Sequence, residues 1–204
     1  MAQGPEDVRN VAIVGHGHSG KTALVDALAH HLKLTSRLGS VADGTSISDA
    51  EPEEKERKQT LTSHLFKLPV SGHRLNLFDT PGHNDFIADA IGAMDVVETA
   101  VLCVNATSPL TFHARQLWKA AGELGIGRAI AITHLDHDNT DFNTTVEELR
   151  LAFGHAVVAV TYPDGEVSRA VQHSRSRLHT RRDRHHRPRN GLPGSCGLSR
   201  SKSE

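Results

Sequence analysis

Several things are scarce in this chain, and each scarcity excludes a class of protein. Only two cysteines occur, Cys103 in an apolar run and Cys196 in a polar one. Two cysteines so placed suggest neither a disulfide framework nor a metal-ligand cluster. No apolar run approaches the roughly 18 residues that a membrane-spanning helix needs. The opening residues, Met-Ala-Gln-Gly-Pro-Glu-Asp, are acidic and lack the apolar core of a secretory signal. A cytoplasmic protein without membrane attachment is expected. The single tryptophan, Trp118, falls on an apolar helical stripe and is expected in the core.

What is present suits a globular domain. The chain has 204 residues, 37% of them hydrophobic and 23% charged, which is enough to bury one core. Its net charge of −1 hides a division. Residues 166–204 carry ten Lys/Arg against three Asp/Glu, whereas residues 1–165 carry thirteen against twenty-one. The two stretches are therefore different kinds of sequence. The second has no hydrophobic period and much arginine, so it buries too little surface to offset its ordering entropy. It is read as a basic tail from about Glu166, either a disordered end or an RNA-binding segment. His179, His185 and His186 lie within it and are not proposed as metal ligands.

The rest is organised around Val11-Ala12-Ile13-Val14 and the segment that follows, Gly15-His16-Gly17-His18-Ser19-Gly20-Lys21-Thr22. An apolar run breaks into a glycine-rich turn, and Ala23 to Leu34 then reads as a helix. The pattern is strand, G-x-x-x-x-G-K-T loop, helix. Backbone N–H groups in such a loop, with the positive end of the helix, form a cradle for phosphate. Lys21 is placed to reach the β- and γ-phosphates, and the Thr22 hydroxyl to hold Mg²⁺. At ordinary amino-acid frequencies this combination arises by accident in about one chain in a hundred of this length. The same letters spell G-x-G-x-x-G, a dinucleotide fingerprint. That reading needs an acidic residue closing a second strand, and the run from Leu38 to Gly44 around Asp43 is loop-like.

Further along, residues 36–60 show no sustained period and are expected to be disordered or a functional loop that orders on a ligand. Leu61 to Leu68 and Arg74 to Phe78 have strand character, and the second ends in Asp79-Thr80-Pro81-Gly82-His83. Asn84 to Met94 reads as a helix, Val97 to Val104 as a buried strand, and a helix from Pro109 carries Leu110, Ala114, Leu117, Trp118 and Ala121. Ala129 to Ile132 is a strand ending at Thr133-His134-Leu135-Asp136. A helix from Asn143, its N-cap candidate, runs to Phe153, and Val157 to Val160 is a candidate last strand. This alternation predicts a mostly parallel sheet with helices on both faces.

The phosphate loop, Asp79-Thr80-Pro81-Gly82-His83 followed by Asn84-Asp85-Phe86, the Glu54 to Thr60 segment, and Thr133-His134-Leu135-Asp136 occur in one order. In that order and spacing, from about Asn10 to Pro163, the sequence resembles translational GTPases of the elongation factor G family, including its divergent second-copy members. The resemblance implies an α/β phosphate-loop NTPase fold, a G domain over residues 1–165 that is incomplete at its C-terminal end. It implies GTP as ligand and substrate, Mg²⁺ as cofactor and the ribosome as partner, with a monomer and no DNA partner expected. Residue by residue, it places Gly15, His16, Gly17, His18, Ser19, Gly20, Lys21 and Thr22 around the phosphates. Thr22, Thr60 and, through water, Asp79 are then the metal set. The Gly82 N–H meets the γ-phosphate, His83 positions the attacking water, and Lys21 and Thr60 complete the catalytic group. Thr62 is the alternative to Thr60.

The departures from the family fall where the base is read. The family's Asn-Lys-x-Asp stands here as Thr133-His134-Leu135-Asp136. Asp136 keeps the acceptor for guanine N1 and N2 protons, while Thr133 is too short to repeat the asparagine's amide bonds. His134 replaces a lysine stem, so guanine preference is expected to weaken. His18 replaces an aspartate of the phosphate loop. The resemblance also implies a continuing G domain and four further domains that these residues do not supply. A nucleotide- or RNA-binding module without turnover, a general ATPase, and a fragment without function are the alternatives.

Overall fold

A computed structural model describes residues 4–48 and 51–163, with the backbone of 170–172. The basic segment that the sequence separates at Glu166 lies otherwise outside the described residues.

The apolar runs become strands, buried most fully at the centre of the sheet and half-buried or exposed at its edges. β1 (Val8–Val14) lies at the centre of a five-stranded sheet, with β2 (His64–Val70), β3 (His73–Asp79), β4 (Thr99–Asn105) and β5 (Gly127–Thr133) ordered β2-β3-β1-β4-β5. β3, β1, β4 and β5 are parallel, and β2 pairs antiparallel to β3 through the turn at Ser71 and Gly72. The alternation of β1 sends Ala12 and Val14 to one face and Ile13 to the other.

On the first face α3 (Ile87–Asp95), α4 (Phe112–Glu123) and α5 (Phe142–Phe153) pack through Ala90, Met94, Ala114, Leu117 and Leu149. On the second face α1 (Lys21–His31) contributes Val25 against Ile13, Leu77 and Cys103. Helices on both faces of a mostly parallel sheet are the architecture that the strand–helix alternation predicts. Leu117 is fully buried, so Leu117→Ala is expected to lower stability by about 3 kcal/mol, read from the denaturant midpoint. Among the described residues no helix is long and apolar enough to cross a membrane.

Local differences from the sequence reading have local causes. α4 starts at Phe112 rather than Pro109 because the Thr111 side chain caps it, accepting from the Ala114 N–H at 3.2 Å. α5 is capped by Asp141, whose carboxylate accepts from the Thr144 N–H at 2.7 Å, and not by Asn143. Asn84–Phe86 form a 3₁₀ turn before α3. Val157 to Val160 do not form a strand: Val158 and Val160 are exposed, and among the described residues no strand lies beside them. The short strand lies later, at β6 (Thr161–Pro163), antiparallel to β7 (Ala170–Gln172). Trp118 is half-buried at the margin of the core, stacked on Phe153 with ring centroids 4.7 Å apart and with the Arg128 guanidinium 4.4 Å from its ring centre.

The aperiodic stretch before β2 contains α2 (Pro52–Arg57), started by Pro52 at its first turn. The Glu54 carboxylate returns to accept from the Glu51 N–H. This reciprocity of a helix start is written in the sequence as Glu51-Pro52-Glu53-Glu54.

Candidate nucleotide site

Parallel register brings the carboxyl ends of the central strands together. Ile13 pairs with Asp79 and Asn105 with Thr133, so the loops that follow open on one edge of the sheet. The connection that leaves β1 runs to the β2–β3 side of the sheet, and the one that leaves β3 crosses back to β4 on the other side of β1. A crevice between oppositely directed connections is where open α/β sheets bind ligands.

The phosphate loop crosses this crevice. A Cβ on Gly15 would stand 2.4 Å from the Cys103 carbonyl oxygen and 2.8 Å from Ser19 Oγ, so only glycine lets β1 turn so close to β4. His16 turns its Nδ1 to the Gly17 carbonyl, and burial lowers its pKa, favouring a neutral ring. His18 is exposed in the left-handed region at φ 60°. Ser19 is wholly buried, with no hydrogen-bond partner for its Oγ. Gly20 immediately precedes α1, with φ 75°.

Lys21 opens α1 and is only 6% exposed. Its ammonium donates to the His16 carbonyl at 2.8 Å, across the mouth of the loop. Burial pushes its pKa down, opposed by the Asp79 carboxylate. Asp79, at the end of β3, is itself wholly buried, and desolvation pushes its carboxyl up against the bonds from Ser48 and Thr22 and the Lys21 charge.

Around Asp79 three hydroxyl-bearing side chains gather. The Thr22 hydroxyl donates to Asp79 Oδ2 at 2.9 Å and the Ser48 hydroxyl to the same oxygen at 2.7 Å. Thr60 Oγ1 lies 3.1 Å from Thr22 Oγ1. Asp79 Oδ1 is buried without a partner. Hard oxygen donors, one of them an unpartnered carboxylate oxygen, suit Mg²⁺, which takes one or two protein ligands and fills its octahedron with water and phosphate. The residues present therefore fit that ion. Among the described residues no group of three or more His, Cys, Asp or Glu side chains gathers as a metal site. Thr62, the alternative to Thr60, is exposed, with its N–H donating to Glu54.

The segment after Asp79 folds back over the phosphate loop. Thr80 anchors it by donating to the Ile13 carbonyl at 2.8 Å. A Cβ on Gly82 would meet Lys21 Nζ at 2.4 Å and the Gly17 nitrogen at 2.8 Å, so a side chain there would fill the cradle. His83 follows, with its side chain 55% exposed and Nδ1 3.4 Å from the Asp85 N–H. Next to it, Asn84 Oδ1 meets Nδ1 of the buried His113 at the start of α4, tying this turn to the helix.

At the far end, Thr133 Oγ1 lies 3.0 Å from the Ser19 carbonyl and 3.0 Å from that of Val104. The hydroxyl thus ties the end of β5 to the phosphate loop even though it is shorter than an asparagine. His134 adopts φ 56° and holds its Nδ1 3.0 Å from that hydroxyl, and a Cβ on Gly20 would meet its Cε1 at 3.3 Å. Its ring meets that of His137 edge-on at 5.1 Å. Asp136 is exposed beyond this turn. Sequence reasoning did not single out Ser48, Glu54, His64 or His113. Glu54 could have been found from its capping pattern. The others take part through contacts distant in sequence, which no local pattern announces.

Comparison with known proteins decides the family. The elongation factor Tu GTP binding domain family matches residues 6–194. This chain belongs to that family. The match runs past the change in composition at Glu166. The elongation factor G-like protein of Mycobacterium tuberculosis is 32% identical over 165 residues, 81% of this chain and 23% of that protein. The mitochondrial ribosome-releasing factor 2 of Candida albicans is 30% identical over 166 residues, covering 81% of this chain and 21% of that protein. A Thermus thermophilus protein of known crystal structure superposes with a TM-score of 0.74 at 33% identity, over 80% of this chain and 24% of that one. The bacterial selenocysteine-specific elongation factor shares the fold at a TM-score of 0.57 and 24% identity, over 70% of this chain and 23% of that one. The chain thus spans roughly a fifth to a quarter of the length of these family relatives.

Proposed function

We propose that this chain binds GTP with Mg²⁺ and hydrolyses it to GDP and phosphate as a translational G domain. The observation that carries the reading is the cluster of Lys21, Thr22, Thr60 and Asp79 beneath a loop whose glycines leave its backbone open. Residues 1–165 form the nucleotide-binding unit, and residues 166–204 are a basic tail.

In this reading the N–H groups from Gly17 to Thr22 and the start of α1 hold the phosphates, and Lys21 exchanges the His16 carbonyl for phosphate oxygens. Thr22 and Thr60 ligate the metal directly and Asp79 through water. When bound, Mg²⁺ neutralises charge developing on the phosphates. The Gly82 N–H donates to the γ-phosphate. His83, on an exposed turn, swings in to orient the attacking water, a task that needs position more than strong basicity. Asp136 accepts from the guanine, with Thr133 bracing the loop and the His134 ring beside the base. The ribosome is the expected partner, consistent with the relatives' names, and the protein acts as a cytoplasmic monomer.

The test is phosphate release from GTP by the full chain, with ATP as competitor. GTP is expected to be turned over and to be preferred, but by a margin narrowed by about 1–3 kcal/mol through the Thr133 and His134 departures. Thr133→Asn combined with His134→Lys then widens it about tenfold or more. Equal competition by ATP would show a general NTPase, and the absence of phosphate release would reduce the reading to binding.

A further inference from the structure

We propose that Glu54 and His64 are positioning residues that clamp the segment between α2 and β2 so that Thr60 is presented to Thr22. The inference rests on the metal role given to Thr60 above, and extends it to residues that touch neither phosphate nor metal.

The Glu54 side chain is wholly buried in an otherwise exposed, polar stretch. A carboxylate is taken out of water only where donors replace its hydration. Here the donors are all from one segment. Glu54 Oε1 accepts from the Leu61 N–H at 2.9 Å and the Thr62 N–H at 3.3 Å, and Oε2 from the Glu51 N–H at 3.3 Å. His64 Nε2 lies 2.9 Å and 3.0 Å from the two oxygens. These bonds hold the Glu54 carboxyl in its charged form, against the opposing effect of burial.

The placement of these donors frames Thr60. On its N-terminal side the Gln59 N–H donates to the Glu54 carbonyl at 3.1 Å. On its C-terminal side the next two N–H groups go to the Glu54 carboxylate. The chain turns out of α2 at Lys58, with φ 52°, just ahead of these donors. Thr60 is thereby fixed from both directions by one residue, which leaves its hydroxyl facing Thr22.

His64 supplies the link to the sheet. It is the first residue of β2 and stands opposite Asp79 in the antiparallel register. The Glu54–His64 contact therefore ties the clamp to β2, the strand paired with the one that carries Asp79. Among the described residues no hydrophobic cluster includes this stretch, and Arg57, Lys58, Gln59 and Thr62 are exposed.

The experiment compares full-length wild type with Glu54→Gln, His64→Ala and His64→Gln. It reads the Mg²⁺ concentration for half-maximal binding of a fluorescent non-hydrolysable GTP analogue, and trypsin cleavage after Arg57 and Lys58 without nucleotide. Removing an outer partner of a metal ligand is expected to raise the Mg²⁺ requirement about tenfold in Glu54→Gln and His64→Ala. His64→Gln, which keeps an N–H donor, should return to within about twofold of wild type. In a Thr60→Ala background, Glu54→Gln should add less than about twofold, because both changes act through one hydroxyl. Cleavage after Arg57 and Lys58 should accelerate about tenfold in Glu54→Gln, with other sites unchanged. Unchanged Mg²⁺ dependence, or a Glu54→Gln effect that persists in full without Thr60, would overturn the proposal. If wild type shows no Mg²⁺-dependent binding, the nucleotide reading fails. The clamp is then judged on cleavage alone: tenfold acceleration upholds it and wild-type rates overturn it.

Discussion

Lys21→Ala is expected to weaken GTP binding by about a thousandfold, equivalent to about 4 kcal/mol, as measured by calorimetric titration. The size follows from where the ammonium sits. Lys21 is buried at the start of α1 and donates across the loop mouth to a carbonyl, with the Asp79 carboxylate among its electrostatic neighbours. A buried cation with only one neutral acceptor gains strongly when phosphate oxygens replace that acceptor. Charge-assisted bonds of this kind are roughly twice as strong as neutral ones. The free protein should not suffer in proportion, because the substitution also removes a buried charge. Its thermal midpoint is expected to stay close to wild type while affinity collapses. A variant that loses stability and affinity together would instead place Lys21 in the fold rather than in the site.

His83→Ala is expected to act on the other half of the problem. Its kcat should fall about a hundredfold to a thousandfold, with KM within about threefold of wild type, in single-turnover and steady-state phosphate release. The His83 side chain is more than half exposed and helps only to cap the short turn at Asn84–Phe86, so the fold asks little of it. A group that orients the nucleophile contributes in the transition state and barely in the ground state. Loss of affinity without loss of turnover would assign the ring to binding. Asn84, held by the buried His113, keeps the turn in place when the ring is removed.

Much of this was legible because the relevant constraints are local. Gly15, Gly20 and Lys21 stand at fixed spacing since the loop must pass close to β4 and then start a helix, and close approach admits only glycine. Asp79 was legible as an acid at a strand end, and the central strands as apolar runs that contribute to the core on both faces of the sheet. The segment of residues 36–60 was not, because it is held by buried carboxylates whose donors are distant in sequence: Asp26 accepts from the Ile47 N–H, and Glu54 collects donors up to ten residues away, spacings that have no period. Ser48 reaches Asp79 across 31 positions, with nothing in its neighbourhood to mark it.

Thr133 shows what side-chain length alone does not announce. Its hydroxyl lies within reach of both the Ser19 and Val104 carbonyls because β5 ends directly over the phosphate loop. Val157 to Val160, with Val158 and Val160 exposed and no strand beside them among the described residues, do not form one: β-branched residues favour strands only where a neighbouring strand and a covered face exist. Asn143 lost its place as cap to Asp141, two residues earlier, where the carboxylate meets both the N–H and the hydroxyl of Thr144. The general pattern is that backbone sterics and strand burial are readable from neighbours in sequence. Polar networks are readable only once the fold has brought their members together.

The most direct test of the account is equilibrium binding of a fluorescent GTP analogue to the purified full chain, with Mg²⁺ and then with the metal chelated. The account predicts saturable binding that weakens at least about tenfold on chelation, since Thr22, Thr60 and Asp79 then lose the ion that joins them to the phosphates. Binding that is indifferent to Mg²⁺, or none at all, would contradict it.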